Sequence, residues 1–479
     1  MTDQALLDDP DDGPRAPEDA ARAEDKTLAE QTVGALTAAI EASDLARINA
    51  IIDALHPADL ADAIGLLHEE DRLALIDLLG GALPAEVLPE LDANLTEEVV
   101  SAMRPEAVAD AVAELDTDDA AFILEDLDED KRAEILAKAP VVDRLALSQA
   151  FDFEEESAGR LMQREVFAAP AYWTVGQIID RLRGSEDLPD RFYEVFVVDP
   201  AFKPIGAVPL STLLKAKRET AISDIMNEDL TVIPVSMDQE DVAYKFEQYN
   251  LISAPVVDEA ERLVGMITVD DVVEIVHAES HEDMLALGGV GAEAGLTDTV
   301  VETVRSRFSW LAVNLATAVL ASLVISVFEK AIEQVVALAV LMPIVASMGG
   351  NAGTQTLTVA VRSLATKDLT AANAVRIIWR ETIVGGLNGI LFAVIMGALA
   401  GLWHASTGAS VDQAVRLAVV IGAAMIINLI AAGLAGILVP LGLQRAGADP
   451  AVSSSVFVTT VTDVVGFFVF LGLAALVLL

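Results

Sequence analysis

The sequence predicts a multidomain, predominantly helical membrane protein: an N-terminal helical superhelix, a tandem pair of α/β modules, an acidic connecting helix and five transmembrane helices. Five runs almost free of charge in the last third, a helical repeat in the first third and two similar strand-turn-strand units between them carry that reading. The 479 residues exceed what one hydrophobic core organises, so several domains are expected from length alone.

Charge marks the main division. The chain has 75 acidic and 30 basic residues, but positions 301–479 hold only 8 and 9 of them. Nearly all of the net charge of -45 therefore lies in the first 300 positions. A polyanion of this size repels phosphate backbones and anionic lipid headgroups, which argues against nucleic acid as a partner and favours cations. Solubilisation by surface acid is the bland alternative. The chain has no cysteine, which excludes disulfides and thiol chemistry.

Residues 1–30 include Asp8, Asp9, Asp11, Asp12, Glu18, Glu24 and Asp25 and have neither a basic start nor an apolar core. They are expected to form a disordered acidic tail rather than a signal peptide. Residues 31–157 read as an acidic helical-repeat domain, with apolar positions recurring at three and four residues. His56-Pro57-Ala58-Asp59-Leu60-Ala61-Asp62-Ala63-Ile64 returns 48 residues later as Arg104-Pro105-Glu106-Ala107-Val108-Ala109-Asp110-Ala111-Val112. Proline followed by an acid is a normal helix start, so the repeat predicts stacked helical units.

Between 158 and 276 short apolar strands alternate with helices. Glu194-Val195-Phe196-Val197-Val198 and Ser253-Ala254-Pro255-Val256-Val257-Asp258 are each followed by a second strand with an early glycine, Pro204-Ile205-Gly206-Ala207-Val208 and Leu263-Val264-Gly265-Met266-Ile267. These units resemble a tandem pair of CBS modules, a regulatory fold that often binds adenosine nucleotides. The resemblance implies a ribose site at Thr268-Val269-Asp270-Asp271, formed by the Thr268 hydroxyl and the Asp271 carboxylate, for ATP or another adenosine nucleotide. Pro209 and Thr212 stand at the corresponding places of the first unit, so at most one such site is implied. A purely structural pair is the other reading.

An acidic connecting helix is expected over 277–304, continuing a run of Asp270, Asp271, Glu274, Glu279, Glu282 and Asp283. Residues 271 and 274 share a face, as do 279, 282 and 283, and like charges so spaced repel. A divalent cation would relieve that repulsion; a solvated acidic linker is the alternative.

Positions 305–479 are expected to form the pore domain. No charge falls in Phe308–Phe328, Gln334–Val361, Thr382–Val411 or Leu417–Gln444, and one, Asp463, falls in Pro450–Leu479. Each run is long enough to cross a bilayer, and none contains a basic residue. Arg305, Arg307, Arg362, Lys367, Arg376, Arg380 and Arg445 flank one side of the spans, against Lys330 and Arg416 on the other. The first side is expected to be cytoplasmic, which puts the N-terminus inside the cell and the C-terminus outside an inner (plasma) membrane.

Asp463 is the sharpest single residue. A carboxylate in hydrocarbon costs about 2.5–3.5 kcal/mol on insertion scales and ordinarily faces a polar path or a partner. Ser453, Ser454, Ser455, Thr459, Thr460 and Thr462 precede it. In the second span, Ser347-Met348-Gly349-Gly350-Asn351-Ala352-Gly353-Thr354-Gln355-Thr356 predicts a broken or closely packed segment. One carboxylate per chain would half-compensate a divalent ion, so a two-fold dimer with two Asp463 side chains around one pore is expected. Such a site suits a largely hydrated Mg2+, although calcium and manganese fit the same argument. The five histidines make no zinc-ligand pair at helical spacing, and no glycine-rich phosphate loop supports ATP-driven pumping. No enzymatic site is expected.

The order of parts, with Pro343 before Gly349-Gly350-Asn351-Ala352-Gly353-Thr354-Gln355 and Asp449-Pro450 before Thr460-Val461-Thr462-Asp463-Val464-Val465-Gly466-Phe467, resembles the MgtE family of magnesium channels. The resemblance implies a homodimer with the pore on its axis, Asp463 binding the hydrated ion and Asn351 and Thr459 nearby. It further implies regulatory Mg2+ sites using Asp118, Glu240, Asp271, Glu274, Glu279 and Glu282, which would close the pore when intracellular Mg2+ is high. Phe122 and Asn250 stand where acids occur in some relatives. A gradient-coupled carrier of Mg2+, Co2+ or Mn2+ and a non-conducting cation or nucleotide sensor are the competing readings.

Overall fold

A computed structural model describes residues 31–479 except 126, 185–190, 292–299, 371 and 407–409. The expected tail at 1–30 and part of the expected connecting segment therefore lie outside the described residues. The chain divides into two compact units, Met1–Glu274 and Ile275–Leu479.

The first unit opens with a stack of short helices sharing one core that runs from Leu36 to Ala150. The repeat read in the sequence is a core repeat. Leu60, Ala61, Ala63 and Ile64 are buried in the helix Pro57–Leu66, and their counterparts Val108, Ala109, Ala111 and Val112 are buried in Pro105–Glu114. Both helices begin on proline, whose missing N–H costs nothing in the first turn. The helix Thr117–Glu125 (α1) follows, with Asp118 and Asp119 in its first turn, where the positive end of the helix dipole favours anions.

Two three-stranded sheets complete the unit. In the first, β1 (Ala168–Pro170) pairs in parallel with β2 (Glu194–Val198), which pairs antiparallel with β3 (Pro204–Pro209). The second repeats the order with β4 (Ile233–Pro234), β5 (Ser253–Val257) and β6 (Leu263–Thr268). The duplication extends to an irregularity in register at Val197/Val198 and at Val256/Val257. It also explains the glycine of each second strand. A Cβ on Gly206 would lie 2.7 Å from the Asn227 carbonyl oxygen, and one on Gly265 would lie 2.6 Å from that of Gln163. The helix Gln239–Tyr249 (α2) ends on Asn250 at φ 52°, a left-handed cap that asparagine tolerates better than most side chains. This cap accounts for Asn250 without an ion.

The helix Val269–Leu287 (α3) begins in the first unit and ends in the second. Within the second unit, Ala286 packs into a cluster with Leu357, Val361, Ala435, Ala451 and Val458. The five membrane helices are α4 (Val300–Val327), α5 (Ala337–Ala365), α6 (Ala374–Ser406), α7 (Val411–Arg445) and α8 (Pro450–Val477). Leu311, Leu387, Leu402 and Leu476 are 62%, 59%, 71% and 83% exposed. Large apolar side chains so placed around a helical bundle suit hydrocarbon rather than water.

α5, α6 and α8 all pack on α7, whose buried face runs from Ala414 to Leu441. Small residues permit the approach. A Cβ on Gly385 would lie 2.6 Å from the Leu429 carbonyl oxygen, and one on Gly389 would lie 2.7 Å from Ile426 Cα. Two sequence expectations are sharpened here. The Gly349–Thr356 segment lies in an uninterrupted helix, so of the two readings, broken or closely packed, the second holds, with Gly349 and Gly353 at the close approaches. α6 also begins two turns before the uncharged run, bringing Arg376, Arg380 and Glu381 into the membrane-spanning helix.

Candidate functional site

In the first unit α1 and the start of α3 bring carboxylates together. Asp118, Asp119, Asp271 and Glu274 are all raised above the ordinary carboxylate range, burial being the largest cause for each. Asp119 and Asp271 are pushed up to about 6 and Glu274 to about 7. Like charge adds to burial: Asp271 acts on Asp118, Asp119 and Glu274, and Asp116 acts on Asp118, Asp119 and Asp271. Glu90 contributes from a distant part of the helical stack. The cluster thus holds Asp118, Asp271 and Glu274, which the sequence singled out, with Asp116, Asp119 and Glu90, which it did not. Asp116 and Asp119 flank a marked residue; Glu90 lies far away along the chain and carried no local signal.

Among the described residues no three acids or histidines converge as a preformed metal shell. Apart from Glu90, the acids sit near two helix N-termini, whose amide groups partly offset their mutual repulsion. α1 is also tied to the module that follows it: Thr117 donates from Oγ1 and N to the Glu165 carboxylate at 2.7 and 3.2 Å.

Asp271 has a second set of contacts. Thr268 donates to it from N at 3.0 Å and from Oγ1 at 2.8 Å, and the same hydroxyl touches Asp270 Oδ1. A hydroxyl has a single proton to share between two carboxylates. The pair expected to hold a ribose is therefore preassembled, and one of its members belongs to the acidic cluster. Glu240 lies in the first turn of α2. Glu279 and Glu282 lie on the part of α3 that belongs to the second unit. Phe122 is 39% exposed on α1, one turn beyond Asp118.

In the second unit Thr459 and the half-buried Asp463 stand four residues apart on α8 and share a stripe. Asn351 is exposed on α5. These helices touch at Gly353, where a Cβ would lie 2.6 Å from Val458 Cγ1 and 3.5 Å from Thr462 Cγ2. Thr462 is fully buried, its hydroxyl donating to the Thr459 carbonyl at 2.9 Å.

Asn428 of α7, unmarked in the sequence reading, reinforces this packing. It is fully buried and donates from Nδ2 to the Val345 carbonyl at 2.8 Å. Gly349 and Gly466 make room for its amide: a Cβ on either would lie 2.2 or 2.9 Å from Nδ2. A pair that the sequence named only separately lies outside the spans. Burial and the nearby Asp449 carboxylate raise Asp283, while Asp449 caps α8 by accepting from the Ala451 N–H at 2.7 Å.

Comparison with known proteins agrees with this architecture. The family model described as "Divalent cation transporter" matches residues 342–473, that of the MgtE intracellular N domain matches 55–156, and a CBS domain model matches 222–278. A magnesium transporter MgtE of Thermus thermophilus is 32% identical over 460 residues, covering 94% of this chain and 99% of the relative. That of Enterococcus faecalis is 32% identical over 330 residues, covering 69% and 71%. Among solved structures, the cytosolic domain of an Mg2+ channel MgtE in complex with ATP is 29% identical, with TM-score 0.47, over 51% of this chain and 99% of that one. With an acidic helical domain, paired α/β modules and five apolar helices in this order, and a relative matched over almost its whole length, the chain belongs to the MgtE family of magnesium transporters.

Proposed function

We propose that the chain is a magnesium channel that admits Mg2+ across the inner membrane and closes when intracellular Mg2+ binds its acidic half. The observation that carries the gating is the gathering of Asp118, Asp119, Asp271 and Glu274 from two separate helices. Their charges repel when the cation is scarce and are bridged when it is abundant. α3 starts with Asp271 and Glu274 and ends with Ala286 packed among membrane helices, which supports it as the element that transmits closure. Glu240, Glu279 and Glu282 are the further regulatory ligands. Thr268 and Asp271 are the site for an adenosine nucleotide, whose binding would share Asp271 with the cation.

Conduction is assigned to Asp463, with Thr459 and Asn351 beside the path. Two chains related by a two-fold axis would place two Asp463 carboxylates around one hydrated Mg2+. The bias of basic residues toward one side of the spans supports a cytoplasmic N-terminus and an external C-terminus.

Magnesium flux into liposomes holding the full chain tests both parts, with Mg2+ varied on the cytoplasmic face and Asp463→Ala compared with the native protein. Flux that needs Asp463 and falls as cytoplasmic Mg2+ rises is expected. Flux driven only by a sodium or proton gradient would replace the channel by a coupled carrier, and absence of flux under all conditions would leave a sensor.

A further inference from the structure

A crevice in the membrane unit holds charged groups that the conduction path does not use. α5 and α6 each settle on α7 through glycines. A Cβ on Gly436 would lie 2.8 Å from Thr356 Cβ, and one on Gly433 would lie 3.1 Å from the Glu381 carbonyl oxygen. Between the two helices remains a space of about 290 Å3, roughly ten water volumes. Its lining combines Arg380, Glu381, Gln355 and Asn388 with apolar walls that include Val359 and Val384. Thr356 donates from Oγ1 to Glu381 Oε2 at 3.3 Å, which turns the carboxylate into the crevice. Among the described residues Arg380 has no ion-pair partner, and its side chain is exposed.

The depth of this crevice is marked by α6 itself. Trp379 and Trp403 are 65% and 40% exposed on that helix. They are separated by a rise of about 36 Å at 1.5 Å per residue, which matches the distance between the two interfaces where tryptophan anchors a span. Arg380 and Glu381 follow Trp379 directly, so they stand where headgroups meet hydrocarbon. Val359 and Val384 are 66% and 40% exposed, leaving the crevice open on its apolar side.

A cation alone would suit Glu381 but meet Arg380, and an anion alone would meet the reverse. A ligand carrying both signs and an apolar tail satisfies every wall. We propose that this crevice binds a zwitterionic phospholipid with a primary amine, its phosphate on Arg380, its ammonium on Glu381 and an acyl chain along Val359 and Val384. The primary amine matters because its N–H groups donate to the carboxylate, whereas a trimethylammonium has none to donate.

The test is native mass spectrometry of the full chain in mild detergent, with phosphatidylethanolamine, phosphatidylcholine or phosphatidylglycerol added at equal concentration. The native protein is expected to retain phosphatidylethanolamine about tenfold better than phosphatidylcholine, the effect of one charge-assisted hydrogen bond. Glu381→Gln should reduce that preference severalfold and weaken phosphatidylcholine less, since a trimethylammonium loses only the ionic attraction and no hydrogen bond. Arg380→Gln should weaken both lipids, since both carry the phosphate. Thermal unfolding of each variant without added lipid controls for folding, and Arg380→Lys, which keeps the charge, should retain part of the binding. Equal retention of the ethanolamine and choline lipids, or preference for phosphatidylglycerol, would overturn the proposal. So would Glu381-dependent retention of Mg2+ in place of lipid, or a shift in oligomeric state on Glu381→Gln, which would mean that a second copy of the chain covers the crevice.

Discussion

The acidic cluster should make folding of the first unit depend on pH and, on the proposed gating, on divalent cation. Burial and like charge raise Asp271 from an ordinary value of 3.8 to about 6, so its ionised form is penalised in the fold. A group whose folded pKa is raised contributes stability that is fully present below its unfolded pKa and is lost as pH rises through the folded value. The loss should therefore spread from about pH 4 to pH 7, with Asp119 and Glu274 shifted in the same direction and the group titrating as one set. At about 1.4 kcal/mol per pKa unit, the shift on Asp271 alone corresponds to a penalty on the order of 3 kcal/mol at neutral pH. Replacement of Asp271 by asparagine removes that charge and keeps one oxygen to accept from Thr268. Hydrogen exchange of the full chain, corrected for the intrinsic pH dependence of exchange, reads the effect at the amides of residues 117–125 and 269–274. In chelator, native protection should fall between about pH 4 and pH 7. The fall should be smaller in Asp271→Asn and largely reversed by Mg2+, which competes with protons for the same oxygens. Protection that is flat with pH, or untouched by Mg2+, would refute the reasoning.

Two further outcomes test the packing. Gly436→Ala should destabilise the membrane unit by about 1–3 kcal/mol, because its Cβ would meet the Gly353 carbonyl oxygen at 2.9 Å. Gly442→Ala, with nothing within 4 Å, should stabilise it slightly through helix propensity; thermal unfolding in detergent reads both, and equal effects would contradict the packing argument. In the helical stack the buried Arg72 donates to both oxygens of Glu98 at 3.1 and 2.9 Å. Glu98→Gln leaves that guanidinium without its counter-charge and should cost about 3 kcal/mol in urea unfolding, and an unchanged midpoint would show that the pair is idle.

Much of the architecture was legible because it rests on local patterns. Uncharged runs longer than the bilayer is thick can be read without knowing what they pack against, and so can a repeat whose matching positions are apolar. Asp463 was legible for the same reason: one charge in an apolar span stands out whatever surrounds it. The repeated glycine strands were equally visible, although their cause, a carbonyl pressed against each glycine face, was not.

What the sequence by itself determined, then, is the order of the parts, the number of spans and the residues whose chemistry contradicts their surroundings. Only the tertiary structure decided which of those residues meet. The grouping of Glu90 with Asp119 and Glu274, the wedging of Asn428 between Gly349 and Gly466, and the meeting of Thr356 with Glu381 at one crevice each join residues from separate elements of the fold. Helix packing sets such meetings through side-chain volumes on both partners, so a run of Gly349–Thr356 that reads equally as a break or a seam becomes a seam once Asn428 and Val458 fill the space its glycines leave.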